Sequence, residues 1–187
     1  MKYSGVVLAI FFSGAALTGC GSSSDEGDSV LAARIASAPT YFGPNDEFTP
    51  ELDAVVEVTG GRSTYASRLA PELVYQFGTT YELRVTQDYA PASGGSPSSN
   101  YITNVVEVVA TEQDAVGTTY VYENIELIGS PFTIDDNAIY YFYQYAFECA
   151  ETVDCDALVD MGDSGGLVDV EFEYTGGETP ITLVGWN

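Results

Sequence analysis

Along Val168 to Tyr174 the chain alternates strictly. Val168, Val170, Phe172 and Tyr174 are apolar, and Asp169, Glu171 and Glu173 between them are charged. A period of two places one set on a buried face and the other in water, which predicts a β-strand. The turn signal Thr175-Gly176-Gly177-Glu178 follows, then the apolar run Ile181 to Trp186, so the last two strands read as a hairpin. Thr80 to Thr86 shows the same alternation, with Tyr81, Leu83 and Val85 against Glu82, Arg84 and Thr86. Ala54 to Val58 is a further strand ending at Gly60-Gly61. Tyr101 to Thr111 and Thr118 to Ile128 are β-rich runs with a turn expected near Gln113-Asp114. Phe132 to Phe147 reads as one long strand, or as two around Asp135-Asp136-Asn137.

Helical periodicity is nearly absent. Ala157 to Met161 fits one helical turn, and Val30 to Ala38 fits either a first strand or a short helix. Pro39, Gly43-Pro44-Asn45-Asp46 and Pro50 punctuate a loop, and 91–99, rich in Pro, Gly and Ser, reads as another. Regularly spaced strands with glycine-rich turns predict an all-β fold, a single antiparallel sandwich or barrel-like domain over residues 30–187.

The first residues follow a different logic. Lys2 supplies a positive charge, Val6 to Phe12 an apolar run too short to span a bilayer, and small residues lead to Leu17-Thr18-Gly19-Cys20. Leu17-Thr18-Gly19-Cys20 resembles the lipobox of bacterial lipoproteins, cut before a cysteine that carries acyl chains such as palmitate. The resemblance implies a signal peptide over 1–19, lipidation of Cys20, and a membrane partner reached through the lipid. Buried methylenes contribute about 0.8 kcal/mol each, so several chains on one cysteine hold firmly. Gly21 after the cysteine, where an aspartate would signal inner-membrane retention in that family, implies the outer membrane. Residues 20–29 are glycine, serine and acids after the cysteine, a composition that cannot build a core and so reads as a flexible acidic tether.

Val74-Tyr75-Gln76-Phe77-Gly78-Thr79-Thr80-Tyr81-Glu82-Leu83-Arg84-Val85 resembles the F-x-x-G-x-x-Y-x-L-x-V stretch of small bacterial lipoproteins of the domain of unknown function 4377 group. Tyr101 to Val109 falls where that group has another strand. The group's cysteines and tryptophan have no counterparts at matching positions, and the resemblance implies no activity.

Composition narrows the chemistry. The 187 residues include no histidine, five Lys or Arg and 28 Asp or Glu. All 28 acids lie after Cys20, where the only cations are Arg34, Arg62, Arg68 and Arg84, so the mature chain would carry a formal charge of −24. Such a surface repels nucleic-acid phosphates and excludes nucleic acid as an expected partner. It is also what salty surroundings favour, since screening at high ionic strength removes the self-repulsion. Without histidine, and with Lys2 inside the signal, the chain has no means for Ser-His-Asp, Cys-His, Ser-Lys or lysine Schiff-base catalysis, nor for histidine-ligated zinc. Gly162-Asp163-Ser164-Gly165-Gly166 resembles the nucleophile motif of trypsin-like proteases, but with no histidine to activate Ser164 it reads as a glycine-rich turn into the next strand.

Three constellations remain. Cys149 and Cys155 are an even pair in an exported chain, which predicts a disulfide; a redox role would need a shorter spacing and a nearby base. Asp154, Asp156, Asp160 and Asp163, with Glu151, offer hard oxygen ligands at short spacing, which suits Ca²⁺, the one cofactor the sequence raises. Ala157-Leu158-Val159 breaks the EF-hand pattern, and a solvated acidic loop held by the disulfide is the competing reading. In Tyr140-Tyr141-Phe142-Tyr143-Gln144-Tyr145, a continuous strand would put Tyr141, Tyr143 and Tyr145 on one face, able to stack on a glycan or an envelope protein. The competing reading is a central strand buried on both faces. The sequence therefore predicts a non-catalytic, lipid-anchored envelope protein whose β-domain binds a ligand or partner. A purely structural or assembly lipoprotein is the first alternative, and a hydrolase using carboxylates alone is the second.

Overall fold

The computed structural model describes residues 29–44, 50–69, 71–90 and 100–187. Cys20, the lipobox, the tether up to residue 28 and the loop 91–99 lie outside the described residues. Within them the chain is an all-β domain of curled, almost wholly antiparallel sheets. Its strands are β1 (Leu31–Ile35), β2 (Thr40–Phe42), β3 (Glu51–Asp53), β4 (Val55–Val58), β5 (Thr64–Tyr65), β6 (Thr79–Ala90), β7 (Asn100–Gln113), β8 (Thr119–Glu126), β9 (Phe132–Ile134), β10 (Tyr140–Phe142), β11 (Tyr145–Cys149), β12 (Leu167–Tyr174) and β13 (Ile181–Trp186). A 3-10 helix, Ala66–Leu69, follows β5, and one short helix, α1 (Cys155–Asp160), follows β11.

The first sheet runs β5-β4-β1-β6-β7. The segment left open between strand and helix is β1, a central strand paired antiparallel with β4 on one side and β6 on the other. That pairing decides the matter, and it buries Ala33 and Ile35 while leaving Ala32 and Arg34 exposed. Val56 and Val58 of β4 and Tyr81, Leu83 and Val85 of β6 share that inner face, which the 3-10 helix covers with Ala66 and Leu69. The long β6–β7 pair carries two register shifts, so that Val106 and Val109 of β7 stand without partners on β6. Such bulges twist an edge strand and hinder further pairing.

The second sheet runs β8-β12-β13-β11-β10-β9. The predicted β12–β13 hairpin is present, with Tyr174 opposite Ile181. One pair departs from the expected antiparallel pattern: β11 runs parallel to β13, Glu148 beside Thr182 and Cys149 beside Leu183. The chain achieves this because α1 and β12 lie between the two strands and give the long crossover that a parallel pair requires. The core here is aromatic. Phe142 stacks on Phe132 with centroids 4.9 Å apart and on Phe172 at 5.5 Å, and Phe147 meets Phe172 edge-on at 5.4 Å.

The two sheets are joined through the segment before β6. Phe77 is 2% exposed and meets Tyr120 and Tyr145 edge-on at 4.9 and 5.6 Å. Gly78 has φ +79°, and a Cβ there would overlap the ring of Tyr174. Its N–H donates to Ser37 O at 2.7 Å and its carbonyl accepts from Asp114 N at 2.8 Å, so one residue ties β12 and two loops together.

Candidate functional site

The tyrosine run does not form the expected face. Residues 132–147 make three strands, β9, β10 and β11, in place of one or two. The chain reverses at Tyr143-Gln144, leaving Phe142 directly opposite Tyr145. Directly opposed residues share a face. Tyr145 therefore lies on the core side with Phe142, Tyr140 and Phe147, while Tyr141, opposite Ala146, points to the other side. Tyr143 sits in the turn itself at φ 56°, which few bulky residues adopt. Its N–H donates to Pro131 O at 2.8 Å, and the Gln144 side-chain amide donates to the Leu52 carbonyl. Tyr145 also meets Tyr75 edge-on at 5.9 Å. Burial raises the phenol pKa of Tyr143 and of Tyr145. These rings are packing elements, and no three of them make a platform.

Three of the four aspartates of the calcium expectation are engaged separately, and the fourth, Asp160, faces solvent. Asp154 caps α1, accepting from Ala157 N at 3.0 Å. Asp156 accepts from the Tyr140 hydroxyl at 2.7 Å. Asp163 accepts from Gly129 N at 2.7 Å and from the Ser130 hydroxyl at 3.2 Å. Asp160 is exposed at the end of α1. Among the described residues, no group of three or more Cys, Asp or Glu side chains is placed to hold a metal ion. Cys149 and Cys155 form a disulfide with Cα atoms 6.2 Å apart. The Gly162–Gly166 segment turns into β12, closing on Leu127 through Gly165 N and Gly166 O.

The residues that do converge are on the first sheet. A surface cleft of about 570 Å³ is lined by Arg62, Ser63, Thr64, Arg68, Gln87, Tyr101, Ile102 and Thr103. Gly60-Gly61 follows β4, and at Gly61 a Cβ would displace the Gln87 amide oxygen and press on Val58 and Leu31. That close approach lets Gln87 clamp the next residue. Its Oε1 accepts from Arg62 N at 2.9 Å, and its Nε2 donates to Arg62 O at 2.6 Å and to the Thr103 hydroxyl at 3.0 Å. The Arg62 guanidinium lies over the Tyr101 ring, 4.7 Å from its centroid, and Tyr89 steadies Tyr101 edge-on at 5.6 Å. Arg68, from the 3-10 helix, lies over Tyr65 at 5.1 Å, and Phe42 backs Tyr65 edge-on at 5.4 Å.

The electrostatics set this cleft apart. Among the described residues the only ion pair is Arg84 to Glu107 at 3.7 Å, on the exposed face of β6 and β7. Arg34, Arg62 and Arg68 thus lack a carboxylate partner among those residues, in a chain with 28 acids, but only Arg62 and Arg68 share one cleft and lie over ring faces. Each of these two is held by a ring face instead, which fixes a guanidinium without consuming its N–H donors. The arrangement can accept an oxyanion beside hydroxyl and amide groups. It holds no acid–base pair.

The sequence reading passed over these residues. Their signal was scarcity: Arg62 and Arg68 fall within seven positions of each other in a chain with four arginines, and no basic residue follows Arg84. Gln87, Tyr101 and Thr103 join them only through sheet pairing. No protein-family model matches the chain, and neither does any curated protein or any solved structure.

Proposed function

We propose that this chain is a non-catalytic, lipid-anchored protein of the cell envelope, held on the outer membrane through Cys20, whose β-domain binds a ligand in the Arg62–Arg68 cleft. The observation that carries the reading is the pair of ring-held arginines with no carboxylate partner among the described residues. In so acidic a molecule, stray cations would gain by pairing with a neighbouring carboxylate, so two left open in one cleft favour an external partner. The absence of histidine and of lysine beyond Lys2 supports a binding role over catalysis. The disulfide and the lipobox together support export.

A second reading, assembly with another envelope protein, draws on β7. It is an edge strand among the described residues, and Ile102, Val106, Val108 and Val109 are exposed along it. The bulges at Val106 and Val109 and the charge of Glu107 blunt that edge, so the cleft is the stronger feature.

Cell fractionation tests the anchored half of the proposal. Wild-type protein is expected in the membrane fraction and released only by detergent, and Cys20→Ser is expected to lose lipid processing. Wild-type protein recovered in the soluble fraction without detergent would refute the anchor.

A further inference from the structure

Resting on that binding role, we infer that the Arg62–Arg68 cleft takes an acidic saccharide, with a carboxylate- or sulfate-bearing sugar ring set against the two guanidinium groups. Three observations lead there. First, the cations are two arginines. A guanidinium presents a planar fork of N–H donors matched to a carboxylate or sulfate, and stacking on an aromatic face leaves the in-plane donors free. Arg62 lies over Tyr101 and Arg68 over Tyr65, with Cζ 4.7 and 5.1 Å from the ring centroids. Second, the groups beside them are those that read sugar hydroxyls. Ser63, Thr64 and Thr103 bring hydroxyls to the lining, the Thr103 hydroxyl being fixed by Gln87 Nε2 at 3.0 Å, while Gln87 spends both amide hydrogens on Arg62 O and Thr103 and so holds the site in place. Ile102 adds an apolar surface for the carbon face of a ring. Third, the site is built before any ligand arrives. Gln87 fixes the Arg62 backbone by two hydrogen bonds, and Gly61 permits the approach that makes them. A preformed site avoids the ordering cost of binding.

The whole-molecule charge narrows the ligand further. A net charge of −23 repels a long, densely charged polyanion such as nucleic acid, as well as an anionic bilayer surface. A saccharide with spaced charges presents one oxyanion to the cleft and keeps the rest of its charge at a distance. Salt then acts in an unusual direction. At about 0.5 M salt the Debye length is about 4 Å, so the long-range repulsion is lost while contacts at hydrogen-bond distance persist. Binding should hold steady or tighten as salt rises, the reverse of ordinary binding between opposite charges.

The test is titration calorimetry on the lipidated protein that begins at Cys20, in neutral detergent at about 0.5 M NaCl. The probes are trigalacturonate, its neutral methyl-ester counterpart, and sodium sulfate. Trigalacturonate is expected to bind wild type. Arg62→Ala and Arg68→Ala should each weaken it by at least about tenfold, the usual cost of deleting a charged hydrogen-bond partner. Arg62→Lys keeps the charge, loses the fork, and should fall between wild type and Arg62→Ala. Arg34→Ala, on β1 outside the cleft, should bind as wild type does, and equal melting curves for all variants establish that they are folded. The neutral ester should lose a similar factor. The inference is overturned if wild type does not bind trigalacturonate, if the two alanine variants bind it unchanged, or if the neutral ester binds equally well. Sulfate binding as tightly as trigalacturonate, and lost in the same variants, would overturn the saccharide while leaving the cleft a ligand site, so this failure is distinct from failure of the proposed function.

Discussion

At the scale of single residues, much depends on where the backbone leaves no room. Gly78 combines a positive φ with a ring pressed against its α-carbon. Gly78→Ala must both strain the backbone and displace Tyr174, and each effect costs about 1–3 kcal/mol. The variant should lose about 2–6 kcal/mol in a denaturant melt, and a loss under about 1 kcal/mol would contradict the close approach. The phenols give a second residue-level expectation. Burial, the largest cause in each case, raises the pKa of Tyr75, Tyr122 and Tyr145 above the ordinary 10.0. Above about pH 10 the unfolded chain therefore gives up phenol protons that the folded chain keeps, and stability must fall as pH rises. With no histidine and two cysteines in a disulfide, little titrates between about pH 6 and 9, so stability should be flat there. Unfolding followed against pH should show a plateau and then an alkaline loss accompanied by tyrosinate absorbance. A histidine-like step near neutrality would contradict this picture.

At the scale of elements, legibility followed locality. The strands β6 and β12 were plain because each carries its own alternation of apolar and charged residues. The identity of β1 was not, since Leu31-Ala32-Ala33-Arg34-Ile35 suits a helix as well as a strand, and only pairing on both sides settles it. The β10–β11 reversal was hidden for a different reason. Tyr143-Gln144 carries none of the glycine, asparagine or proline that marks a hairpin, and the turn is imposed by contacts to Pro131 and Leu52. The Arg62–Arg68 cleft was least visible, because Arg62 and Gln87 are 25 positions apart in the chain. The reversal changes what alanine substitutions should do. Tyr145, packed on Phe77 and Tyr75, should cost about 2–4 kcal/mol on truncation, whereas Tyr141, on the opposite side, should cost less than about 1.5. Equal losses at both positions would contradict the opposed faces.

At the scale of the whole molecule, charge is the dominant variable. Acids are spread through the chain, whereas the four arginines beyond Lys2 all precede β7, on or beside the first sheet. Folding crowds a net charge of −23, so the native state should gain stability as NaCl rises from about 0.1 to 1 M and the Debye length shrinks from about 10 to 3 Å. A melting temperature that does not change over that range would contradict the dominance of self-repulsion. The same asymmetry makes the Arg62–Arg68 cleft the place where an anion can approach, and a ligand bound only by the folded state must raise the melting temperature, by an amount worth about 2.7 kcal/mol at a hundred times its Kd. The most direct measurement is therefore the melting temperature of the lipidated protein that begins at Cys20 and of its Arg62→Ala, Arg68→Ala double variant, each with increasing trigalacturonate or sulfate in high salt. A wild-type melt that rises with at least one of these anions, beside a double variant that does not respond, is the expected result; identical responses in the two proteins would contradict the cleft as the binding site.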